Sequence, residues 1–88
     1  MRTVRYTSRF KKDLKRIKRR GFDVGILQVA IKKLTYDEAL DPRYRDHALI
    51  GNYAGTKECH LAPDWLLIYR LVDDQLVLVR TGSHADLF

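Results

Sequence analysis

Cysteine, proline and long apolar runs are all scarce in this sequence, and each scarcity excludes something. The one cysteine, Cys59, rules out an internal disulfide and any zinc site built from several thiolates. No apolar run approaches the roughly 20 residues that a membrane-spanning helix needs. The N-terminus carries Arg2 and Arg5 but no apolar signal core. The expectation is a soluble, unexported protein suited to a reducing cytoplasm, with no membrane partner. Repeats, low-complexity tracts and linkers are also missing. With 88 residues and 45% hydrophobic content, the chain has enough for one modest core and no more, so a single domain over 1-88 is expected.

Negative charge is scarce at the start of the chain. Residues 1 to 33 hold twelve Lys or Arg against Asp13 and Asp23, leaving +10 there and −4 in the remainder of a chain whose net charge is +6. One-sided positive charge on a small domain is the footprint of a polyanion binder, although a solvated helix face has the same composition.

Taken in order, Thr3 to Tyr6 has the pattern of a short strand. Thr7 and Ser8 offer hydroxyls to cap a helix in which Phe10, Leu14 and Ile17 form one apolar stripe. Gly21 suits its end. Asp23 can cap a second helix carrying Val24, Leu27, Ile31 and Leu34 at helical spacing. So short a link makes the helices an antiparallel pair, and the strand that follows is expected to run antiparallel to the first. Residues 37 to 55, with Pro42, Gly51 and Gly55, resemble a long surface connection; loops of that length are often functional.

The last third holds the strongest strand signals. Trp65 to Val72 and Gln75 to Thr81 flank Asp73-Asp74 as a hairpin, and Thr56 to Ala62 enters through the turn pair Pro63-Asp64. The fold expected is α+β, in the order β-α-α-β-β-β, with the helical hairpin on one face of an antiparallel sheet and the other face free for a site. Two-residue turns would set Leu67 opposite both His60 and Arg80, which then share a face about 10 Å apart.

His60, Asp64, Arg80 and His84 are the polar residues placed along this meander. Imidazoles titrating near pH 6.5 supply general acid-base chemistry at neutral pH, and the planar Arg80 fork suits phosphate oxygens. Trp65, Tyr69 and Phe88 offer aromatic surfaces for an unstacked base. Together they describe metal-free RNA cleavage by 2'-hydroxyl attack. Each has a plainer alternative: His47 as a surface histidine, His60 as a half-buried one satisfied by a neighbour, Asp64 as a turn former, and Trp65 and Tyr69 as core. No histidine pair has the helical ligand spacing of HExxH, so no metal or cofactor is expected.

DHALIG from Asp46, HLAPDWLLIYR from His60 and RTGSHADLF from Arg80 closely resemble the YafQ branch of the RelE-like toxins of bacterial type II toxin-antitoxin systems. The resemblance covers the whole chain in length and element order. It implies an endoribonuclease, an mRNA interferase that cuts messenger RNA in the ribosomal A site and is silenced by a cognate antitoxin. By motif it assigns His47, His60, Asp64, Arg80 and His84 to catalysis, with His84 the first choice for proton transfer, and it includes Trp65 and Phe88, which together with Tyr69 from the aromatic reading are the expected substrate-binding residues. Lys11, Lys12, Lys15, Arg16 and Arg19 would face ribosomal RNA. The partners implied are the antitoxin, the 70S ribosome with mRNA, and operator DNA through the toxin-antitoxin complex. Ala48 replaces a frequent proline, Tyr53 a frequent tryptophan, and Phe88 in final position would set a carboxylate beside the site. The alternatives are a non-catalytic inhibitor on the same scaffold, like the gyrase-directed ParE toxins, and a nucleic-acid-binding repressor component.

Overall fold

Thr7 accepts a hydrogen bond from the Phe10 amide at 3.0 Å and starts α1 (Ser8–Arg19), which ends before Gly21 at φ 79°. Asp23 does the same for Gly25 at 2.9 Å and starts α2 (Val24–Thr35). The computed structural model describes residues 1–88, the side chain of Asn52 excepted. Its strands are β1 (Thr3–Tyr6), β2 (His47–Ala48), β3 (Lys57–Ala62), β4 (Trp65–Val72) and β5 (Gln75–Gly82), followed by α3 (His84–Leu87). Among the described residues no helix is long and apolar enough to cross a membrane.

The α+β class and the helical pair on one face are as expected, but the sheet is mixed. Its order is β1-β5-β4-β3-β2, with β1 parallel to β5 and the remaining pairs antiparallel. The helical pair returns the chain so that β2, the first strand after it, opposes β1 in direction. Each later hairpin then reverses the chain, which makes β3 and β5 parallel to β1. Phe10, Ile17, Leu27, Ala30 and Leu34 of the helices pack on Cys59, Leu67, Tyr69 and Leu78 of the sheet.

Both two-residue turns form, pairing Ala62 with Trp65 and Val72 with Gln75. The expected register does not survive beyond them. A bulge between His60 and Ala62 moves His60 opposite Leu66, and another opposite Ile68/Tyr69 moves Arg80 to Ile68. One inserted residue normally flips every side chain beyond it. Here the two shifts run in opposite directions along β4, and Leu66 and Ile68 share a face. His60 and Arg80 therefore stay on the same side, offset by two positions instead of flanking Leu67.

The connection over 37 to 55 is more ordered than a surface loop. It holds 3-10 turns at Pro42–Tyr44 and Gly51–Tyr53, the short strand β2, and a buried Tyr44. Leu49 and Tyr53 pack with Val79 over Leu66, Ile68 and Leu87 in a second small core. The face opposite α1 and α2 is thus partly covered, and the remaining open strip runs along β2, β3 and the start of α3.

Trp65 and Tyr69, expected as surfaces for a base, are instead core residues, 3% and 0% exposed on the helix side. Odd-numbered positions of β4 face the helices, which put both there. Trp65 stacks edge-on against Phe22 at 5.1 Å and donates Nε1–H to Thr81 Oγ1 at 2.9 Å. Trp65→Ala should cost about 3 to 5 kcal/mol in urea unfolding. Trp65→Phe, which keeps the ring contact, should cost roughly 1. A loss under about 0.5 kcal/mol for the alanine variant would return Trp65 to the surface.

Candidate active site

Successive side chains of a strand alternate faces, and the Asp46-His47 pair uses that alternation. Asp46 turns toward the sheet edge, where it accepts hydrogen bonds from the Tyr69 hydroxyl and, at 3.1 Å, from Lys57 Nζ. His47 is thereby delivered to the opposite side. Arg45, held left-handed at φ 48° as the cap of the 3-10 turn, places its carbonyl 2.6 Å from His47 Nδ1. A carbonyl only accepts, so Nδ1 donates this bond, and Nε2 is the nitrogen that faces Glu58, at 3.1 Å.

Glu58 pairs across the sheet with His47 and lies two residues before His60, so all three share a face. Its carboxylate is buried, 3.1 Å from His47 Nε2 and 3.6 Å from His60 Nε2. Burial pushes His60 below the ordinary histidine value, against the upward pull of Glu58. The charges of Arg45, His47 and His84 push it the same way as burial. His60 is therefore held toward its neutral form.

Asp64, in the β3–β4 turn, accepts from both the backbone amide and Nδ1 of His84, each at 3.1 Å. These bonds lower the Asp64 carboxyl below the usual carboxylate value. They also fix the His84 ring, leaving Nε2 for a substrate. Ring centroids run in a row: His47 to His60 at 6.1 Å, His60 to His84 at 6.0 Å, His84 to Phe88 at 6.3 Å, and Phe88 to Tyr53 at 5.5 Å. Phe88 is 64% exposed and free to stack.

A capping box steadies α3: Ser83 and Asp86 exchange backbone-to-side-chain hydrogen bonds, and Arg20 adds a fork onto Asp86 at 2.8 and 3.3 Å. The Ser83 amide and Arg20 together pull the Asp86 carboxyl down to about 2. A Cβ on Gly82 would come within 3.0 Å of Asp86 Oδ2, so the residue before the cap has to be small.

Arg80, opposite Ile68, is on the same face of the sheet as this row. Nε and NH2 meet Asp13 at 2.7 and 3.0 Å, which raises the guanidinium above its ordinary value despite burial. Arg16, expected with the ribosomal-RNA set, is instead turned inward, 2.7 Å from the same carboxylate. Lys11, Lys12, Lys15 and Arg19 remain exposed on α1.

Glu58 and Asp13 are the participants that sequence reasoning missed. Glu58 had a signal, the same-face spacing to His60. Asp13 had another, a lone carboxylate between Phe10 and Ile17 on the apolar stripe of a basic helix. Cys59 is no nucleophile, since burial and neighbouring carboxylates push its thiol up to about 12. Ligand atoms of His47, Glu58 and His60 lie within 4.8 Å of one another, a nitrogen-rich set suited to copper or zinc. Such an ion would take up the lone pairs that proton transfer uses.

Residues 2–88 match the family model described as the bacterial toxin of type II toxin-antitoxin system, YafQ. The chain is 38% identical to the mRNA interferase toxin YafQ of Escherichia coli K12 over 99% of its own length and 96% of the relative's. A crystal structure of YafQ from E. coli BL21(DE3) superposes with a TM-score of 0.94 at 36% identity, over 100% of this chain and 99% of that one. YafQ in the E. coli DinJ-YafQ complex superposes at 0.92 with 37% identity and the same coverage. A metal-bound toxin from Helicobacter pylori gives 0.93 at 41% identity over the full length of both.

The pull on His60 can be tested by histidine NMR titration. The wild-type imidazole should titrate below 6.5. Glu58→Gln removes the upward pull and should lower the midpoint further, whereas Arg45→Gln should raise it. Because the folded state holds this proton more weakly than the unfolded chain, His60 stabilises the fold above pH 6.5, and that contribution fades as pH falls toward its folded value. A wild-type midpoint at or above 6.5 is incompatible with this arrangement.

Proposed function

The chain belongs to the YafQ family of bacterial toxins of type II toxin-antitoxin systems, and on that footing we propose that it is an mRNA interferase cutting messenger RNA on the ribosome. The observation that carries the chemistry is the row of three imidazoles, in which neutral-leaning His60 sits 6.0 Å from an Asp64-oriented His84.

In this reading His60 takes the proton of a 2'-hydroxyl, with the Glu58 carboxylate balancing the resulting positive charge. The freed oxygen attacks the adjacent phosphorus, forming the P–O2' bond as the P–O5' bond breaks. His84, whose ring Asp64 orients through Nδ1, delivers a proton to the departing 5'-oxygen. Beyond the two N–H groups given to Asp13, Arg80 has donors on its other edge, where the Tyr53 hydroxyl also lies, and these face the extra charge on the phosphoryl oxygens. The products are a 2',3'-cyclic phosphate and a 5'-hydroxyl. Phe88 supplies the stacking surface that Trp65 and Tyr69 do not.

Lys11, Lys12, Lys15 and Arg19 serve ribosomal phosphates, which give affinity without sequence information. The toxin then works in the cytoplasm, where its ribosomes are, and a cognate antitoxin with an acidic contact surface restrains it. Operator DNA is a partner of that complex. A copper or zinc ion on His47, Glu58 and His60 would be inhibitory, as it competes for the base.

On programmed ribosomes, His84→Ala should slow single-turnover cleavage by about 10² to 10⁴-fold while antitoxin affinity is preserved. A substrate with sulfur in place of the bridging 5'-oxygen needs no acid and should restore the variant. An unrestored loss would take the acid role away from His84. Replacing Lys11, Lys12 and Lys15 with glutamine should reduce the slope of log affinity for ribosomes against log salt by about 2 to 3. The cleavage rate on saturating ribosomes should stay unchanged. An unaltered slope would put the ribosome contact elsewhere.

A further inference from the structure

Asp13 is the one carboxylate of α1, it is only 3% exposed, and it stands in a helix otherwise crowded with Lys and Arg. Its oxygens are filled. Oδ2 accepts from Arg80 Nε at 2.7 Å and from the Thr81 backbone amide at 3.2 Å. Oδ1 accepts from Arg80 NH2 at 3.0 Å and from Arg16 NH2 at 2.7 Å. An ionised carboxylate offers about four acceptor positions, so none is left over for a ligand.

Two parallel bonds to one edge of a guanidinium fix its plane as well as its position. The amide of Thr81 is held by the same oxygen, so the anchor also grips the backbone next to Arg80, beyond the bulge that sets where this side chain leaves β5. An arginine on a flexible stem would otherwise have to be immobilised as the substrate binds. Sharing Asp13 between Arg80 and Arg16 leaves the three groups with a net positive charge.

We propose that Asp13 is a positioning residue for the nuclease reaction: it prealigns Arg80 so that the guanidinium edge turned away from Asp13 meets the scissile phosphate. This rests on the mRNA interferase reading. Asp13 touches no reacting atom, and it acts through Arg80 alone.

The test is single-turnover cleavage of a defined messenger on saturating programmed ribosomes by wild type, Asp13→Asn, Arg80→Ala and the double variant. Asp13→Asn should slow cleavage about 10 to 100-fold with ribosome affinity unchanged within about twofold. In the Arg80→Ala background it should add nothing. A wild-type rate in Asp13→Asn, or an equal further loss on top of Arg80→Ala, would overturn the proposal. Should Asp13→Asn fail to fold, the wild-type protein answers by itself. NMR of the Arg80 Nε–H group should show slow hydrogen exchange and backbone-like order in the free toxin, and a mobile, fast-exchanging group would sink the prealignment. That second measurement does not depend on cleavage, so a wild-type protein that cuts no messenger would remove the nuclease reading separately.

Discussion

A buried carboxylate in the first helix holds the last long strand. Asp13 and Arg80 are 67 residues apart in sequence, and their paired bonds at 2.7 and 3.0 Å join α1 to β5 beside the site. Removing a carboxylate from water is costly unless its lone pairs are filled by charged or polar donors. Asp13 meets that condition with two arginines and an amide. Arg16 extends the arrangement toward Asp86, 4.0 Å from its Nε, and Arg20 completes it from the end of α1. The helix that carries His84 and leads into Phe88 is therefore moored to the same element as Arg80. Long-range ion pairs here set geometry more than they add stability.

The second constraint is the pair of bulges on either side of β4. Either one alone would separate His60 from Arg80 by bringing only one of them across from the helix side, where Leu67 points, to the open face. Together they restore a common face, and they spread the two residues along β4. The open strip that results is narrow because Leu49, Tyr53 and Leu87 roof over Leu66 and Ile68. Three imidazoles at about 6 Å spacing occupy what remains. Each has a carboxylate or carbonyl partner: Arg45 and Glu58 for His47, Glu58 for His60, Asp64 for His84. His47 and His60 share Glu58 while His84 has Asp64 to itself, and the neighbouring imidazoles discourage protonation of His60 between them.

Much of the molecule was legible from local chemistry. Thr7 and Asp23 cap the helices they were expected to cap, and both hairpins turn on the two-residue loops that Pro63-Asp64 and Asp73-Asp74 signalled. The histidines singled out by motif lie together. Trp65 and Tyr69 were harder, since an aromatic in an apolar run serves equally as core or as stacking surface until the register is known. The 37 to 55 segment hid its order because β2 is only two residues long and is formed by pairing with β3, not by its own pattern.

The sequence by itself determined the two long helices with their caps, the four longer strands, the tight turns, and the supply of imidazoles, arginine and exposed aromatic available for chemistry. These depend on hydrogen bonds and apolar periodicity within a few residues. Tertiary structure alone decided that β1 lies parallel to β5, which face each β4 residue presents, and that Glu58 and Asp13 join the site. A bulge shifts register without changing composition, and a carboxylate acquires its role from donors brought to it across the whole chain.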